Sequence, residues 1–114
     1  VTIRLTPAMF QILVAVGGDE KHGYAVMQEL DEVGGSSVGP GTLYRSIKLL
    51  LEAGLLEETP RQDESDPRRR YYRVTDGGAA AASVEAERLA KLVSHAEKGG
   101  LFRRGSPAPS PGAG

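Results

Sequence analysis

No cysteine occurs in the 114 residues, which excludes disulfides and thiolate metal sites. No apolar run approaches the roughly 20 residues that span a bilayer, and no segment combines the basic start, apolar middle and small-residue cleavage site of a secretory leader. A cytoplasmic protein without a membrane partner is expected. A positive excess is also missing, because 14 Lys and Arg against 15 Asp and Glu leave a net charge of −1. Nucleic-acid binders commonly show a basic balance, so any such reading must rest on local charge. No internal repeat is evident. The two histidines, His22 and His95, stand far apart, and neither is accompanied by cysteine or by acids at a ligand-pair spacing. No metal site can be assembled from these residues, nor any constellation of nucleophile, base and oxyanion donor. The chain reads as a non-enzyme that needs no cofactor.

What is present is an ordinary globular composition, 39% apolar and 25% charged. A chain this short builds a core of marginal extent, so an interface with a second copy would bury further apolar surface. From Leu5 to Val16, Met9, Phe10, Leu13, Val14 and Val16 recur at helical spacing, with Thr6 as cap, Pro7 at the first helical position and Gly17-Gly18 as the stop. A second helix is expected from about Gly23 to Val33, with Tyr24, Met27, Leu30 and Val33 on one face and Gly34-Gly35 at its end. A third runs from Pro40 to Ala53 on a Leu43, Ile47, Leu50 and Leu51 stripe, and closes at Gly54.

Leu55 to Thr59 and Arg69 to Val74 then read as two short strands around a charged turn, a β-hairpin. Alternation sends Tyr72 and Val74 to one face and Tyr71 and Arg73 to the other, with Tyr72 in the core. Thr75 and Asp76 cap a long helix to about Glu97, where Ala82, Ala86, Leu89, Val93 and Ala96 repeat in steps of four and three, as in a coiled-coil seam. At about 30 Å such a helix overhangs so small a domain, which leaves Leu89, Leu92 and Val93 to find a partner, either helix one of the same chain or a second subunit met through its first and last helices. Ala82, Ala86, Leu89, Leu92 and Val93 are the candidate dimerisation residues. The Pro, Gly, Ser and Ala-rich tail cannot offset its own ordering entropy. The fold class is therefore mostly α with a small β-hairpin. A winged helix-turn-helix domain is expected over residues 1–75, a C-terminal dimerisation helix over 76–98 and a disordered tail over 99–114.

Four strings narrow the reading: His22-Gly23-Tyr24; Pro40-Gly41-Thr42-Leu43-Tyr44-Arg45; Leu49-Leu50-Leu51-Glu52-Ala53-Gly54-Leu55-Leu56; and Arg69-Arg70-Tyr71-Tyr72-Arg73-Val74-Thr75-Asp76-Gly77-Gly78. In this order and spacing, from Leu5 to about Glu97, the chain resembles the PadR family of bacterial transcriptional regulators. The resemblance implies a homodimer built through the C-terminal helix. It also implies sequence-specific binding to a two-fold symmetric operator in double-stranded DNA, and repression relieved by a small-molecule effector. That effector would sit at the dimer interface near the first and last helices. Two positions depart from the family pattern. Gly39 stands where a hydroxyl often caps the third helix, and Leu49 where a basic residue is common.

Candidate DNA contacts follow from geometry. The first turn of helix three offers free amides and a positive dipole end to phosphate, and Thr42, Tyr44, Arg45 and Lys48 lie off its apolar stripe. Arg45 can read guanine or hold a phosphate, while Tyr44 can touch DNA or brace the wing. Arg68, Arg69 and Arg70 supply positive charge to the wing, against the alternative of a hairpin neutralised by Asp63, Glu64 and Asp66. His22 reads as a structural residue at the start of helix two, and Gly23 as a site of close backbone packing. The near-neutral charge also permits a different reading, a winged helix that docks a protein partner without binding DNA.

Overall fold

The computed structural model describes residues 4–18, 20–32, 39–60 and 65–105. The expected end of the second helix at Gly34-Gly35, the acids Asp63 and Glu64, and the tail beyond residue 105 lie outside them. The elements run α1 (Pro7–Val16), β1 (Lys21–His22), α2 (Gly23–Glu32), α3 (Pro40–Glu52), β2 (Leu56–Glu58), β3 (Tyr71–Val74) and α4 (Asp76–Lys98).

The α1 helix begins where Thr6 Oγ1 accepts the Met9 amide at 3.1 Å, and ends at Gly17 with φ +59°. Its buried face is Met9, Ile12, Leu13, Ala15 and Val16, whereas Val14, expected inside, is 60% exposed. Residues 9, 12, 13 and 16 follow the i, i+3, i+4, i+7 series of one helical face, and Val14 stands a further 100° round from Leu13. The same geometry corrects α2. Gly23, Val26 and Leu30 are buried while Tyr24 is exposed, because steps of three drift about 60° each and carry one end of the stripe out of the core.

In α3, Leu43, Ile47 and Leu50 face inward as expected, joined by Ser46. Ile12, Val16, Val26, Leu43 and Leu50 are the large residues with almost no exposed surface, and each contributes about 1.5–3 kcal/mol through burial. They come from α1, α2 and α3, so α3 is held by its inner stripe against two helices.

The sheet has three strands in the order β1-β3-β2 rather than the two of a hairpin. Both pairings are antiparallel, with Lys21 opposite Tyr72, His22 opposite Tyr71, Leu56 opposite Val74, Glu57 opposite Arg73 and Glu58 opposite Tyr72. Lys21 fastens the extra strand to the helices, since its Nζ donates to the Ala15 carbonyl at 2.6 Å and to the Glu29 carboxylate. The added strand also overturns the expected alternation in β3. Tyr71 is buried as well as Tyr72, because the His22 ring lies edge-on to Tyr71 with 5.4 Å between centroids.

The α4 helix starts at Thr75, whose hydroxyl accepts the Gly78 amide at 3.0 Å and donates to the Gly54 carbonyl at 2.6 Å. Ala81 and Ala82 pack on the core, and Gly78 is the one fully buried residue of the helix. Beyond its first turns α4 runs clear of the domain, with Val84 and Leu92 exposed. His95 and Lys98 in the last turn complement the helix dipole. Residues 99–105, at the start of the stretch expected to be disordered, turn back on the helix end. The Leu101 amide donates to the Ala96 carbonyl, and Arg104 pairs with Glu97 at 3.1 Å.

Candidate nucleic-acid interface

The outward face of α3 follows from its inward one. With Leu43, Ile47 and Leu50 committed to the core, Thr42, Tyr44, Arg45 and Lys48 are all exposed. Gly39 caps the helix with no side-chain hydrogen bond, so the first-turn amides at the positive dipole end are left for a ligand or water. No ion pair among the described residues includes Arg45 or Lys48. Leu49, in the position where the family often has a base, is exposed on the same helix.

Tyr44 rests on the start of α2. A Cβ at Gly23 would lie 2.9 Å from Tyr44 Cε1 and 3.0 Å from its hydroxyl oxygen, so glycine at 23 makes room for the ring. His22 caps that same helix start, its Nδ1 accepting the Ala25 amide at 3.2 Å. Tyr24 lies parallel to the imidazole, with 6.5 Å between centroids, and remains 55% exposed. Tyr24 and Tyr44 thus line one side of a cleft of about 370 Å³, and Arg68, Arg69 and Arg70 line the other. Tyr72 is also among the lining residues. Its phenol is pushed above the ordinary range first by burial and then by the nearby Glu58 carboxylate, so its hydroxyl stays neutral.

The sequence places four wing arginines together, and the structure gives each an acidic neighbour. Arg68 and Arg69 lie 3.7 and 3.9 Å from the Asp66 carboxylate, Arg70 lies 3.2 Å from Glu58, and Arg73 lies 2.6 Å from Glu57. The Glu57 hydrogen bonds raise the Arg73 guanidinium above its usual value. Exposed pairs of this kind hold weakly, about 0–1 kcal/mol in general, so a closely placed phosphate can displace them. Sequence reasoning did not single out Glu57 and Glu58, and it set Tyr24 on the apolar face of the second helix rather than in this cleft. The signal available for the two acids was their register in the ladder, Glu57 opposite Arg73 and Glu58 opposite Tyr72, which requires the strand pairing.

On α4, Leu89 and Val93 are half-buried, and Ala86 and Leu92 exposed, while Ala82 is drawn partly into its own core. An apolar groove of about 670 Å³ runs between the first half of this helix and the end of α3, with Arg4 and Arg88 among its lining residues. The Arg88 guanidinium holds the Glu85 carboxyl below its ordinary range through their hydrogen bond. Among the described residues no helix is long and apolar enough to cross a membrane.

Residues 12–84, spanning α1 to the first half of α4, match the model of the transcriptional regulator PadR-like family. The chain belongs to that family. PadR-like proteins are winged-helix, DNA-binding transcription regulators and not enzymes. A PadR-family transcriptional regulator from Eggerthella lenta superposes with a TM-score of 0.68 at 27% identity, covering 79% of this chain and 78% of that one. RosR of Halobacterium salinarum superposes at 0.65 with 29% identity, covering 82% and 81%. In sequence, the transcriptional activator GvpE2 of Halobacterium salinarum is 35% identical over 75 residues, 66% of this chain and 36% of that protein. The present PadR-like chain spans 25% and 36% of the lengths of the two curated relatives it matches.

Proposed function

We propose that the protein is a homodimeric, sequence-specific regulator that seats one α3 in the major groove of each half of a two-fold symmetric operator. In this reading it represses the adjacent genes until a small-molecule effector binds. The observation that carries it is the outward face of α3, where Arg45 and Lys48 stand without an acidic partner among the described residues, beside Thr42 and Tyr44. Arg45 donates to a base edge or a phosphate, Lys48 to the backbone, and Arg68, Arg69 and Arg70 flank them in the segment that leads into β3.

Pairing between subunits is supported by α4, about 34 Å long by its rise per residue, on which Ala86 and Leu92 are exposed and Leu89 and Val93 only half-covered. Residues 76–98 then form the dimerisation element and residues 1–75 the DNA-binding unit. An effector that prefers one separation of the two α3 helices changes affinity, because half-sites about one turn apart must be met together. The groove beside α4 lies where such a ligand could act on that separation. The sign of regulation follows from where the operator lies relative to the promoter.

The test is selection of bound duplexes from a random library, with solution mass measured alongside. A palindrome with half-sites one helical turn apart, bound by a species of twice the chain mass, is expected. A lone-chain mass, or binding to a protein partner with no salt-sensitive DNA binding, would overturn the reading.

A further inference from the structure

The cations of the two DNA-facing elements differ in one respect. On α3, Arg45 and Lys48 pair with no acid among the described residues, whereas Arg70 on the wing lies 3.2 Å from Glu58. Register explains why the acid is there. Glu58 stands opposite Tyr72 in the β2–β3 ladder, on the sheet face that carries Tyr72 toward Tyr44. Glu57 pairs with Arg73 one position along, on the opposite face. Glu58 and Arg70 are both exposed, so the pair is open to exchange with a phosphate.

We propose that Glu58 acts through Arg70 to limit the affinity of the wing for DNA phosphate, and so holds down binding to DNA of arbitrary sequence. In the free protein its carboxylate occupies the guanidinium that a phosphate would take. When phosphate replaces it, the carboxylate is left unpaired beside the DNA, so part of the gain from the phosphate contact is lost. Binding to arbitrary sequence is supplied almost wholly by phosphate charge, and a carboxylate standing in the phosphate's place weakens that contact directly. Among the described residues the α3 cations bear no such competitor. The inference rests on the DNA-binding reading above.

The experiment is anisotropy titration of a labelled duplex of arbitrary sequence across a salt series with wild type, Glu58→Gln, Glu57→Gln, Arg70→Ala and the Arg70→Ala, Glu58→Gln double variant. Glu58→Gln should tighten binding about two- to five-fold, the factor set by one exposed ion pair. It should also steepen the logarithmic salt slope, by at most about 0.9, the value for one whole phosphate contact. Neither change should occur in the Arg70→Ala background, and Glu57→Gln, which alters net charge equally on the other face, should leave binding unmoved. An unchanged or weakened Glu58→Gln complex overturns the inference, as does an equal gain from Glu57→Gln or a gain that survives Arg70→Ala. Wild-type protein that shows no salt-dependent duplex binding ends the DNA-binding reading itself, whereas wild-type binding with no response to Glu58→Gln ends only this one.

Discussion

Gly78 and Leu55 touch backbone to backbone. A Cβ at position 78 would fall inside the Leu55 carbonyl oxygen, 3.0 Å from the Leu55 carbonyl carbon and 2.9 Å from Val74 Cγ1. The root of α4 is thereby seated on the turn that leaves α3, and the Leu55 carbonyl also accepts the Thr75 amide at 3.2 Å. Gly78→Ala is expected to cost about 3 kcal/mol or more, at or beyond the upper end for overpacking because main chain must move. Gly77→Ala is the control, since the nearest atom to its Cβ would be 3.7 Å away. Urea unfolding of both variants checks this, and a Gly78→Ala midpoint matching that of Gly77→Ala would refute it.

Thr75 serves the same joint through its hydroxyl. Thr75→Ala loses the acceptor for the Gly78 amide and the donor to Gly54, for an expected cost of about 1–2 kcal/mol. Thr75→Ser keeps both groups and should recover most of it. Thermal unfolding of the two variants separates the hydroxyl from the rest of the side chain.

The third helix is under-capped, and the defect is repairable. Gly39 sits at φ −68° and ψ 164° with no side-chain bond to the helix, a conformation serine adopts freely. Gly39→Ser should stabilise by a few tenths of a kcal/mol, visible as a small rise in Tm. No rise would mean that the hydroxyl fails to reach the first-turn amides.

Arg45 and Arg69 should fail in different ways. Arg45→Ala is expected to weaken binding to the selected operator by about 1–3 kcal/mol and to relax preference at one base position. Arg69→Ala should lower affinity on every sequence and flatten the salt slope. Titrations of operator and arbitrary duplex at two salt concentrations distinguish the two patterns. Identical losses on both duplexes for Arg45→Ala would assign it to phosphate alone.

The helices were legible because their signals are local. Thr6, Pro7 and Gly17 mark the bounds of α1, Thr75 marks the start of α4, and Leu43, Ile47 and Leu50 recur at one helical period. Those three residues also fixed by subtraction which side of α3 faces outward, so the exposure of Thr42, Tyr44, Arg45 and Lys48 was legible in the chain alone. What escaped depends on partners distant in sequence. A strand of two residues, Lys21 and His22, is too short to show alternation, so the burial of Tyr71 beneath His22 could not be foreseen. The pairing of Arg70 with Glu58 needs the register of β2 against β3, which composition does not carry. Val14 and Tyr24 were misplaced for a simpler reason: loose helical spacing set them inside, whereas the accumulated angle round the helix set them out.

The small sheet also bears on how the protein behaves in concentrated solution. Its longest strand, β3, has four residues and is flanked on both sides, while the outer strands β1 and β2 have two and three. Open strand edges invite other chains to add themselves in register, and short edges carrying charge resist this. Here one border holds Lys21 and the other Glu57 and Glu58. The sheet therefore offers little purchase for edge-to-edge aggregation.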